Sequence, residues 1–121
     1  MITDKDKAVA YLILSTIEDN PVKMFSWGFT DPTVIENGLL FKVRGLKHKG
    51  RVKVLYQEGK DLFQIQLFSK KNKLKDSIED VYVDQLVQVI DQSVEKIENY
   101  NEVVRAMYGL PPRENKNIGN K

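Results

Sequence analysis

Residues 38–68, GLLFKVRGLKHKGRVKVLYQEGKDLFQIQLF, alternate apolar and polar side chains through three runs separated by turn residues. Successive side chains of a strand point to opposite faces, so this pattern predicts three adjoining strands with one apolar face. Leu39, Phe41, Val43, Val52, Val54, Tyr56, Phe63, Ile65 and Leu67 fall on that face. Leu40, Lys42, Arg44, Arg51, Lys53, Leu55, Gln64 and Gln66 fall on the other. The connections Gly45 to Gly50 and Gln57 to Lys60 are short and glycine-bearing, which suits hairpins and a simple antiparallel meander.

On the N-terminal side, Val9, Leu12, Ile13, Thr16 and Ile17 recur at helical spacing, with Thr3 and Asp6 placed as a capping pair and Pro21 beyond the end. Val22 to Phe29 alternates, with Phe25, Trp27 and Phe29 on one side, and predicts a first strand; Thr33 to Ile35 is read as a short strand or a loop. On the C-terminal side, Ser69 to Lys75 reads as a polar basic loop. A long helix follows, with Ser77 or Asp80 as its cap and a firm apolar arc from Tyr82 through Leu86, Ile90 and Val94 to Ile97. Asn101 caps a short last helix through Tyr108, ended by Gly109 and the Pro111-Pro112 pair. The expected order is α-β-β-β-β-α-α. This is an α+β two-layer sandwich in which a four-stranded antiparallel meander carries the N-terminal and long C-terminal helices on one face. Residues 1–109 form the expected single domain and 110–121 a mobile tail.

Composition narrows the chemistry. At 121 residues, with 41% hydrophobic and 30% charged, the chain suits one globular domain rather than a disordered segment. The absence of cysteine removes disulfides, thiolate metal sites and cysteine nucleophiles, and the one histidine, His48, rules out a multi-imidazole zinc site. No cofactor and no metal is expected. His48 stands in a lysine-flanked turn with no carboxylate or hydroxyl beside it, so no catalytic constellation is identified and an enzyme is not expected. The N-terminus lacks the pattern of a secretory leader, and no apolar run approaches the roughly 20 residues of a membrane helix. The expectation is a cytoplasmic protein without membrane contact.

Charge is segregated along the chain even though the net charge is only +2. Lys42 to Lys75 holds 11 basic and 2 acidic residues, whereas Asp76 to Glu102 holds 1 basic and 8 acidic. Arg44 and Arg51 are expected to face each other across the first hairpin. Lys42, Arg44, Lys47, Lys49, Arg51, Lys53, Lys70, Lys71 and Lys73 are the candidate polyanion-binding residues. Asp84, Asp91, Glu95 and Glu98, in a stripe with Asp80 along the long helix, are the candidate protein-contact residues. The leading functional expectation is a small non-enzymatic binding or adaptor module that acts through protein contacts and self-association. The alternative is a nucleic-acid-associated protein gripping phosphates with the basic sheet face. Against that alternative, the open face is expected to carry no strand aromatic for base stacking.

Overall fold

The structure, a computed structural model, describes residues 1–95. Within them, helices α1 (Asp4–Glu18) and α2 (Pro21–Ser26) lead into a sheet of five strands. These are β1 (Thr30–Ile35), β2 (Gly38–Arg44), β3 (Lys49–Gln57), β4 (Leu62–Phe68) and β5 (Leu74–Val81). A 3-10 turn (Val83–Gln85) and helix α3 (Leu86–Val94) follow. The chain is therefore α+β, with an open antiparallel sheet in the order β1-β2-β3-β4-β5. The expected short helix from Asn101, the boundary at residue 109, the tail 110–121 and Glu98 lie outside the described residues.

The three central strands follow the sequence pattern. Phe41 stands opposite Val52 and Val52 opposite Leu67, while Leu39 stands opposite Val54 and Val54 opposite Ile65. These side chains are buried on one sheet face. Ala10, Ile13 and Ile17 of α1, Leu86, Val87, Ile90 and Val94 of α3, and Trp27 join them in one core. α1 begins where expected: Asp6 N–H donates to Thr3 Oγ1 at 3.2 Å, and Thr3 N–H donates back to the Asp6 carboxylate at 2.9 Å. The same carboxylate accepts the backbone N–H of Asn37 at 2.8 Å, which fixes the helix start to the β1–β2 turn.

Three expectations are corrected. Val22 to Phe29 is not a strand, because Pro21 occupies the first turn of α2, where its missing N–H leaves no bond unmade and its fixed φ suits a helix. The aromatics consequently part company: Trp27 is fully buried, Phe29 packs on Phe41 with ring centroids 4.6 Å apart, and Phe25 is 87% exposed. The first strand instead runs over Thr30–Ile35, where a register shift accommodates Asp31 (φ 54°) and Pro32 on a sheet edge that needs no donor.

The sheet also gains a fifth strand from residues read as loop and helix start. Ser77 caps no helix; it stands opposite Gln66, and its hydroxyl donates to Glu79 at 2.9 Å. Asp80 (φ 57°) sits in a register shift before Val81 rejoins Phe63. The β-branched residues Ile78 and Val81 prefer the pleated surface, and the helix starts only at Leu86, leaving Tyr82 57% exposed.

α3 ends against the β2–β3 hairpin. The N–H groups of Lys47 and His48 both donate to the Val94 carbonyl, at 2.9 and 3.0 Å, and Lys47 Nζ reaches the Gln92 carbonyl at 3.0 Å. Gly45 is required there, since a Cβ at that position would overlap the Val94 carbonyl. No helix among the described residues is long and apolar enough to cross a membrane.

Candidate anion-binding face

Among the described residues the helices leave one sheet face uncovered, and the register decides which side chains share it. Lys42 on β2 stands opposite Arg51 on β3, and Arg51 opposite Phe68 on β4 and Phe68 opposite Leu74 on β5. In the next row Leu40, Lys53, Gln66 and Ser77 stand side by side. Arg44 pairs with Lys49 rather than with Arg51, because β3 begins two residues earlier than the turn glycines suggest. Two like-charged pairs, Lys42 with Arg51 and Arg44 with Lys49, therefore lie directly across neighbouring strands, an arrangement that destabilises a sheet mildly.

Lys42, Arg51 and Lys53 converge on a groove of about 810 Å³ whose walls include Leu40, Phe68, Asn72 and the β1 edge at Asp31 to Thr33. Each cation has a weak holding contact. Lys42 Nζ lies 3.2 Å from the Asp31 carboxylate, with both side chains at least half exposed. The Arg51 guanidinium donates to the side-chain oxygen of Asn72. Lys53 Nζ rests 4.9 Å from the centroid of the Phe68 ring, within cation–π range.

Asn72 belongs to the β4–β5 turn. There the Asn72 N–H donates to the Ser69 carbonyl at 2.9 Å, and the Ser69 hydroxyl accepts the N–H groups of Lys71 and Lys73 at 3.2 Å. That order presents Lys70, Lys71 and Lys73, all exposed, beside the groove. Lys49 and Arg44 are exposed at the same end of the sheet. Lys47, by contrast, is used on the end of α3, and His48 is half-buried with Nε2 3.4 Å from the Arg51 carbonyl.

An antiparallel meander sends alternate connections to the same end, so the β2–β3 and β4–β5 turns carry their lysines together. The opposite end holds Glu36, Glu58, Asp61, Glu79 and Asp80, with Lys5 paired to Glu58 and Lys60 to Asp80, so that its balance is still acidic. There the Glu79 carboxyl is held below its ordinary pKa, first by the Ser77 hydroxyl and then by Gln64. Charge is thus divided along the strands as well as along the sequence.

The acidic residues expected to form one helix stripe are dispersed. Asp80 is on β5 and Asp84 is exposed in the 3-10 turn. Asp91 accepts the Trp27 indole N–H and faces Lys23 at 3.2 Å. Glu95 is buried and accepts the Leu46 N–H at 2.9 Å. Among the described residues no three His, Asp or Glu side chains are grouped to hold a metal ion.

The sequence reading missed Phe68. Its parity with Gln64 and Gln66 places it on the open face, and the alternating burial of β4 agrees. The expectation of a face without aromatics is corrected on that point. Comparison with known proteins returns no significant match to a family model, a curated protein or a solved structure.

Proposed function

We propose that this chain is a small non-enzymatic binding module that takes an anionic partner on the open face of its sheet. The observation that carries this reading is the convergence of Lys42, Arg51 and Lys53 on a groove that, among the described residues, the helices leave open and one exposed carboxylate, Asp31, faces. Cations held opposite one another cost sheet stability, and an anionic partner reverses that cost. The lysines of the two adjacent turns extend the surface on which phosphate or carboxylate groups would be met.

The test is binding of a fluorescent heparin fragment to the wild type and to a Lys42→Glu, Arg51→Glu double variant. Loss of binding, with the Trp27 emission unchanged, supports the reading. Equal binding by the two proteins overturns it.

A second reading, contact with another protein or with a second copy, has its own surface. Val22 and Phe25 of α2 are 81% and 87% exposed and lie one helical turn apart. Asp91 and Glu95, spent within the chain, lend less to a helix-to-sheet self-association than Val22 and Phe25 do. Light scattering across protein concentration tests this, and association that survives high salt and is lost in Phe25→Ser supports it.

A further inference from the structure

Taking the anion-binding reading of the open face as its basis, we infer that the partner is a single-stranded nucleic acid, with a base stacked on Phe68. The cross-strand row Lys42, Arg51, Phe68, Leu74 runs over the sheet perpendicular to its strands, two cations followed by an aromatic ring and an exposed aliphatic side chain. A nucleic acid strand offers the same sequence of chemistry, charged phosphates alongside flat apolar bases. Neighbouring strands are roughly 4.8 Å apart, so Lys42 and Phe68 sit about 10 Å from each other, within the span of a nucleotide unit and its neighbour.

The ring is what separates this partner from other polyanions. A duplex keeps its base faces stacked inside, and a purely acidic chain such as polyglutamate offers no flat face to an aromatic ring, whereas an unpaired base has a free π-surface. The Lys53 ammonium lies over the Phe68 ring. A base that stacks there displaces the ammonium toward the phosphate beside it, so one movement exchanges a cation–π contact for a base stack and a charge pair. Among the described residues Arg51 is likewise held by the neutral Asn72 amide, which a phosphate oxygen replaces with a charge-assisted bond.

The experiment is fluorescence anisotropy on the full chain with a labelled DNA single strand of about 12 nucleotides, a length covered by one small binding domain. The matching duplex, polyglutamate and free thymidine monophosphate serve as competitors. The wild type binds the single strand in preference to the duplex and polyglutamate. The logarithm of its affinity falls with the logarithm of salt concentration with a slope of about −2 for three phosphate contacts, and steeper if the turn lysines join. Phe68→Leu, which keeps an apolar side chain at this site, weakens the single strand about tenfold, the scale of one base–aromatic stack, and leaves polyglutamate unchanged. Phe68→Tyr restores binding.

Single-strand binding that is indifferent to Phe68→Leu but lost in the Lys42→Glu, Arg51→Glu protein overturns the stacking inference and leaves the anionic face standing. A preference for the duplex or for polyglutamate also overturns it. Displacement by thymidine monophosphate at concentrations matched to the strand overturns the strand in favour of a free nucleotide. Absence of binding to any of the four probes overturns both the inference and the reading beneath it. Trp27 emission, measured on every variant, separates a lost site from a lost fold.

Discussion

The indole N–H of Trp27 donates to Asp91 Oδ1 at 2.9 Å, joining residues 64 apart in the chain. Trp27 is fully buried just after α2 and Asp91 lies on α3, so one hydrogen bond fixes how the two helices meet over the sheet. Lys23 supports the same carboxylate from α2. Asp91→Ala leaves a buried donor without a partner, and the expected loss is about 1–3 kcal/mol in urea unfolding. Trp27 is the one tryptophan, so a red-shifted emission maximum should accompany that loss.

Stability should fall at low pH partly through Asp6. The N–H groups of Thr3 and Asn37 hold its carboxyl below the ordinary 3.8. A depressed folded-state pKa means that the stabilisation is complete above the unfolded value and is lost as pH drops below 3.8 through the folded value. Thermal melts of wild type and Asp6→Asn at descending pH should converge, the variant starting lower at neutral pH and changing less. Parallel curves would remove Asp6 from the acid transition.

Two glycines should answer oppositely to alanine. Gly45→Ala drives a Cβ into the Val94 carbonyl, and overpacking of this kind costs about 1–3 kcal/mol. A Cβ at Gly59 meets no atom within 4 Å, so Gly59→Ala is expected to raise stability by about 0.4–1 kcal/mol by restricting the unfolded chain. Chemical denaturation of both variants checks the pair.

Ile90 is fully buried where α3 covers the sheet. Ile90→Ala should cost about 2–5 kcal/mol, whereas Val83→Ala, at a partly exposed position of the 3-10 turn, should cost far less. Equal losses would contradict the helix start at Leu86.

The central strands and α1 were legible because each has a long period repeated without interruption and a local cap or turn to bound it. What escaped were the short elements on either side. α2 has six residues, too few for period 2 and period 3.6 to separate, and a proline such as Pro21 suits the end of one helix as well as the first turn of the next. β5 alternates poorly because its register shifts twice, at Leu67/Phe68 and at Phe63/Ile65, and Ser77 and Asp80 resembled caps. The cations of the open face were readable from parity alone. Their grouping was not, since the pairing of Lys42 with Arg51 depends on where β3 starts, which only the tertiary register decides. The roles of Asp91 and Glu95 were hidden for a related reason: their partners, Trp27 and Leu46, come from elements distant in sequence.

The division of charge between the two ends of the sheet has a kinetic side. A molecule with lysines on its β2–β3 and β4–β5 turns and carboxylates at the other end experiences a torque in the field of any polyanion before the two touch. Encounters would then start with the turns leading and Glu36, Asp61 and Glu79 trailing, so fewer collisions are wasted in wrong orientations. The gain falls on the association rate rather than on the lifetime of the complex, and it fades as salt shortens the reach of the field.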